Sequence, residues 1–333
     1  MYKTPLEYNR ERTAAITPSL RWDGKEDFTG WQNRARVKLT GLLGLPFVEC
    51  DDKFQIEYRE DRGAFTETRF TFQSEEGFFV PCHLWVPKGS GPLPLVVCLQ
   101  GHSKGMHISL GRPKYPGDAE SISGGDRDFA VRIVREAYCA LAIEQRCFGE
   151  LGGTEKGPDC TVSSMAALLV GRTTMGERVW DVQRALDVIE KHFPEADKNK
   201  IVCMGNSGGG ATTFFASCLE SRIACAMPSS YFCSFDDCIG AMHHCACNFV
   251  PNIRLFFDTG DLAGLIAPRP LVVVSGREDP IFPQQGVQKA FKEARRVYAA
   301  AGAADKLKLV IGEGGHRFYA DSAWPVMNSF IRA

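Results

Sequence analysis

Three side chains, far apart along the chain, carry the most chemistry. The first is Ser207, in the run Gly205-Asn206-Ser207-Gly208-Gly209. An apolar stretch, Lys200 to Met204, leads directly into this run, and a helical pattern opens at Gly208. That is G-x-S-x-G in the strand–turn–helix setting a nucleophile elbow requires. The tight turn lifts the hydroxyl off the sheet, and small flanking residues let strand and helix approach. The helix N-terminus offers free N–H groups and a positive dipole end to a developing oxyanion. A glycine-rich turn without chemistry is the bland alternative, and the strand and helix around the motif argue against it.

A serine is a weak nucleophile without a base. The spacing predicts the order serine, acid, histidine. Asp279 follows the apolar run Leu271–Val274, and His316 follows the run Leu307–Ile311. Each falls just past a strand end, where side chains from neighbouring strands can converge. Glu278 competes with Asp279 for the acid's role. His316 is expected to be the general base. The oxyanion calls for a second backbone donor beside Gly208. The loop after the first buried strand, Gln100-Gly101-His102-Ser103-Lys104-Gly105, is its expected source. His102 is the first candidate there, and its ring could instead touch the substrate. Ser103 is the neighbouring alternative and a candidate substrate contact. Tyr231, Phe232 and Trp180 are expected as pocket walls.

The elements that must position these groups read as follows. Residues 53–60, 65–73 and 78–86 alternate apolar and polar, as half-buried antiparallel strands do. Pro81 points to an edge or a bulge in the third. Continuous apolar runs at 95–99, 138–143, 200–204, 223–227, 271–274 and 307–311 read as strands buried on both faces. Helical patterns at 127–137, 174–193, 208–219 and 286–301 lie between most of them. The expectation is an α/β fold: a mostly parallel mixed sheet with helices on both faces. Residues 1–60 read as an N-terminal extension with a helix near 31–45, packed on a main domain of residues 61–333. Three connections, near 103–126, 150–173 and 229–264, are too long for plain crossovers and are expected to shape a site.

Composition narrows the classes. The 333 residues carry 39 Lys plus Arg against 40 Asp plus Glu, so no basic field suits nucleic acid or a membrane surface. No apolar run is long enough to span a bilayer. The N-terminal residues show no apolar signal region, which together with 13 cysteines read as free thiols points to a cytoplasmic protein. His243-His244-Cys245-Ala246-Cys247, with Cys233 and Cys238 nearby, raises a zinc reading. Cys-x-Cys is tighter than paired zinc spacing and no second pair follows, so structural packing and no metal are expected. No nucleotide or dinucleotide motif is present, and no cofactor is expected.

Several stretches together resemble the α/β-hydrolase fold over about residues 65–333. They are LVVCLQGHSKG (95–105), AIEQRCFGE (142–150), GRTTMGERVWDVQRALDVIE (171–190) and DLAGLIAPRPLVVVSGREDPIFP (261–283). Within that fold the chain is similar to the bacterial esterase branch of acetyl xylan esterases and dienelactone-hydrolase-like proteins. The resemblance implies Ser207, Asp279 and His316 as a triad, with the Gly208 and His102 amides for the oxyanion. It implies hydrolysis of small acyl esters, often acetyl groups on sugars. Two departures stand out: Cys147 occupies a usual glycine, and the loop at 103–126 lacks aromatic clusters for a sugar. The serine nucleophile disfavours true dienelactone hydrolysis, which uses cysteine. A peptidase or amidase on the same triad, and a non-catalytic binding protein on this fold, are the competing readings.

Overall fold

The continuous apolar runs fold into the middle of one nine-stranded sheet in the computed structural model, which describes residues 2–89 and 91–332. The strands are β1 (Gln55–Asp61), β2 (Phe65–Glu75), β3 (Phe78–Pro87), β4 (Leu93–Leu99), β5 (Cys139–Ile143), β6 (Ala196–Asn206), β7 (Ile223–Ser229), β8 (Leu271–Gly276) and β9 (Leu307–Gly312). Their order across the sheet is β1-β2-β3-β5-β4-β6-β7-β8-β9. The first three pair antiparallel, β3 meets β5 antiparallel, and every pairing from β5 to β9 is parallel. Parallel strands must be buried on both faces, which is why their sequences show no alternation. All five residues of β5 and all six of β8 are buried.

The helices are α1 (Pro5–Ala15), α2 (Phe28–Leu43), α3 (Asp118–Gly124), α4 (Phe129–Arg135), α5 (Thr161–Leu169), α6 (Thr174–His192), α7 (Gly208–Leu219), α8 (Ile253–Phe256), α9 (Thr259–Leu262), α10 (Gln284–Ala300) and α11 (Ala320–Ile331). They divide between the faces. Leu95, Val97, Ile201, Cys203 and Val273 pack with α2, α6, α7 and α10 on one side. Val96, Cys98, Val202, Met204 and Val272 pack with α4 and α11 on the other. Successive residues of one strand thus serve opposite cores.

The N-terminal segment joins this body through two elements. Helix α2 is capped by Asp27, whose carboxylate accepts from the Gly30 amide at 2.8 Å, and ends at Gly44 with φ of 78°. Its buried stripe is Trp31, Ala35, Leu39 and Leu43, an i, i+4 ladder laid on the core. Strand β1 is part of the sheet, so a boundary at residue 60 falls inside a strand.

One expectation needs correction, and one helix lies outside the expected elements. Strand β3 is not at an edge, because β2 and β5 flank it. Pro81 is accommodated because the β5 ladder begins one residue later, at Cys82. The Pro81 carbonyl still accepts from the Glu144 amide at 3.0 Å. Helix α11 lies where the sequence analysis placed no element, and it holds Pro325 within it. It stands because Ala323, Trp324, Met327 and Ile331 are buried against the sheet.

Candidate active site

Strand β6 ends at Asn206 and α7 begins at Gly208, leaving Ser207 alone in the turn with φ of 55° and ψ of −118°. That region is costly for a residue with a Cβ, and such strain persists only where the surroundings enforce it. Close packing does so here. A Cβ on Gly205 would lie 2.5 Å from the backbone of Gly209. A Cβ on Gly209 would collide with the Leu99 carbonyl, and one on Gly101 would lie 2.9 Å from the Asn206 carbonyl. The glycines therefore let β4, β6 and α7 close on one point, with the serine at its apex.

Asp279 follows β8 and His316 follows β9, and the two meet. His316 Nδ1 lies 2.8 Å from Asp279 Oδ2. The other carboxylate oxygen accepts from the Ile281 and Phe282 amides at 2.9 and 3.1 Å. Burial alone would raise the Asp279 carboxyl. The His316 ring and the two amides outweigh it, so the group sits below the usual aspartate range. It is an anion fixed to hold an imidazole. The Glu278 amide bonds the Gly314 carbonyl, and among the described residues Asp279 is the carboxylate hydrogen-bonded to the His316 ring. The Phe282 ring stacks on His316 with centroids 5.8 Å apart.

Ser207 Oγ makes no direct hydrogen bond to His316 among the described residues. The two are joined through backbone instead. The Ser207 amide donates to the Ser229 carbonyl at 2.8 Å, and Ser230 Oγ donates to the Arg317 carbonyl at 3.2 Å. The histidine loop is thus tied to the strand end beside the elbow.

On the oxyanion side, the His102 and Gly208 amides have no acceptor among the described residues. The His102 ring lies against the elbow, within 2.7 Å of where a Cβ on Gly208 would stand. Its Nε2 faces away, 3.1 Å from Cys247 Sγ. Ser103 Oγ is buried without a partner.

A match to a family model described as the Abhydrolase family covers residues 14–312. The chain belongs to this family. Within the Abhydrolase family it is 29% identical over 252 residues to YtaP of Bacillus subtilis (strain 168), a protein provisionally named a hydrolase. That match covers 71% of this chain and 77% of YtaP. A Bacteroides fragilis NCTC 9343 structure, provisionally named an acetyl xylan esterase, superposes with a TM-score of 0.79 at 18% identity. The overlap covers 97% of this chain and 84% of that one. A glucuronoyl esterase from Solibacter usitatus superposes with a TM-score of 0.71 at 16% identity, covering 96% and 98%. These likenesses identify the α/β-hydrolase fold, and the nine-stranded sheet described above is that fold.

Other sequence-nominated residues of this abhydrolase lie elsewhere. Tyr231 and Phe232 do not line an open pocket. They are 3% and 1% exposed and pack with Phe214 inside the main core, because β7 delivers them beneath α7. Trp180 is buried too, its indole donating to the Ser74 carbonyl at 2.9 Å. Sequence reasoning weighed His244 only in a possible zinc cluster and missed its place beside the site, where its ring packs 5.5 Å from Phe282 and its Nε2 is buried without a partner. It also passed over Glu144, the buried anchor of the loop after β4. The Glu144 carboxylate accepts from Gln100 Nε2 at 2.7 Å and from the Met106 amide at 3.1 Å. Burial pushes this carboxyl up to about 7, against the pull of the Met106 and Glu150 amides. A cavity of about 430 Å³ opens beside it, walled by Lys104, His107, Tyr115 and Glu150 among others. Ser207 and His316 are not among its walls.

Proposed function

We propose that this abhydrolase is a serine carboxylesterase that cleaves small acyl esters carried on carbohydrates, acetyl esters first. The observation that carries the reading is the 2.8 Å pairing of His316 Nδ1 with Asp279 Oδ2, on a loop laced to the strained Ser207 turn. With Nδ1 engaged, the free Nε2 of His316 takes the Ser207 proton as the hydroxyl attacks the ester carbonyl. Asp279 holds the tautomer and stabilises the imidazolium. The tetrahedral oxyanion rests on the Gly208 and His102 amides. The alcohol leaves with the proton from His316, and water then cleaves the acyl-enzyme with His316 as base.

The carbohydrate assignment draws on the names of the similar structures, an acetyl xylan esterase and a glucuronoyl esterase. A Ser207→Ala variant is expected to lose turnover of p-nitrophenyl acetate by about 10⁴-fold and to lose fluorophosphonate labelling, with its fold intact. Full activity in that variant would reject the reading. Acetylated xylo-oligosaccharides assayed beside a methyl ester of glucuronic acid and a long-chain acyl ester then decide the substrate class. Faster cleavage of either of the last two than of the acetyl sugar removes the acetyl assignment.

A further inference from the structure

Four donor side chains from separate parts of the chain meet behind the oxyanion loop. They are His102 after β4, Cys160 before α5, and Cys245 and Cys247 in the connection after β7. Their ligand atoms all lie within 4.8 Å of one another. His102 Nε2 is 3.1 Å from Cys247 Sγ, and the Cys245 and Cys247 sulfurs are 3.4 Å apart. In a tetrahedral zinc site with bonds of about 2.3 Å to sulfur and 2.0–2.1 Å to nitrogen, ligand atoms stand about 3.4–3.8 Å apart. We propose that His102, Cys160, Cys245 and Cys247 form a structural zinc site, one imidazole and three thiolates, that clips three active-site loops together.

A second observation points the same way. Arg178 is 1% exposed and forms no ion pair with a carboxylate among the described residues. Its guanidinium stacks on Phe148, donates to the Arg146 carbonyl at 2.7 Å and reaches Cys160 Sγ at 3.5 Å, while Nη1 has no partner. A buried cation needs a counter-charge. Beside neutral thiols it has none. Zinc bound by three thiolates and a neutral imidazole carries one net negative charge, which Arg178 balances. Binding is a proton exchange without redox change: three S–H bonds break, three zinc–sulfur bonds form, and three protons go to solvent.

The ligand count leaves no open position, so the metal is structural rather than a Lewis acid. Its effect on the site runs through His102. With Nε2 on zinc, the ring keeps its proton on Nδ1, the edge that lies against Gly208 at the elbow. Sequence spacing hides the set because only Cys245 and Cys247 are near neighbours, while the other two ligands arrive on different loops.

Metal analysis of the purified wild-type protein decides the point without any assay of turnover. One zinc per chain is expected. After exchange into cobalt, the intense ligand-field bands of tetrahedral coordination and a thiolate-to-cobalt charge-transfer band should appear. Cys160→Ser and Cys247→Ser should each lower zinc content at least tenfold. Cys233→Ser, a core cysteine outside the set, should keep it. Wild-type protein without stoichiometric zinc, another metal in its place, a disulfide among these cysteines, or full zinc in both ligand variants would each overturn the site. Fluorophosphonate labelling of Ser207 reports separately on the esterase reading, so either can fail alone.

Discussion

The work of each side chain around Ser207 is set by what holds it. Asp279 has one oxygen on His316 and the other on two amides, so it cannot turn away. Asp279→Asn should therefore keep the geometry but present the wrong partner to Nδ1. A fall in kcat of about 10³–10⁴-fold is expected, with little change in thermal stability. Glu278→Gln, one residue away, should retain near wild-type kcat. Steady-state kinetics of the two variants test this, and equal losses would dissolve the assignment of the acid. The positions of Ser207, Asp279 and His316 were legible from sequence because each sits at a strand end, and strand ends can be counted. Tyr231 and Phe232 were misjudged for a related reason. Position after β7 marks them as near the site, but only packing shows that they face the core beneath α7. Cys160 gave no usable signal, since it lies in a long connection whose path no periodicity fixes.

Among the elements, α2 has the least obvious importance. It lies outside the β4–β9 framework, yet it reaches the segment between α9 and β8. Gln32 Nε2 donates to the Gly264 carbonyl at 2.6 Å and to the Ala267 carbonyl at 2.7 Å. The Trp31 ring fills the space a side chain at Gly264 would need, 2.6 Å from where a Cβ would stand. Trp31 is 1% exposed, so Trp31→Ala leaves a large cavity beneath the helix. A loss of about 3–5 kcal/mol is expected in urea unfolding. A loss under about 1 kcal/mol would mean the N-terminal segment is only loosely docked. The strands and the main helices were readable because burial on two faces, or on one stripe, leaves a period in the sequence. Helix α11 was missed although its buried Ala320, Ala323, Trp324, Met327 and Ile331 keep a helical period, because Pro325 within it reads locally as a helix breaker.

For the molecule as a whole, near-neutral charge leaves stability to individual buried groups. Glu144 is one of them, 2% exposed with its carboxyl raised to about 7. Its sign is the reverse of a salt-bridged acid. Below the ordinary glutamate range both folded and unfolded chains hold the proton, and nothing changes. As pH rises from there to about 7, the unfolded chain releases the proton while the folded one keeps it. Stability should therefore fall by up to about 1.4 kcal/mol per pH unit and level off above pH 7. Glu144→Gln should remove that slope from urea unfolding measured between pH 5 and 8. Identical slopes in the two proteins would show that the carboxyl is ionised throughout. No helix among the described residues is long and apolar enough to cross a membrane. At the outer rim of the sheet, β1 carries Glu57, Arg59, Glu60 and Asp61 and is exposed along almost its whole length. A bare β-edge is a template on which another chain can grow. Here each approaching backbone would meet a row of hydrated charges of both signs, so concentrated solutions should resist strand-to-strand accretion from that side.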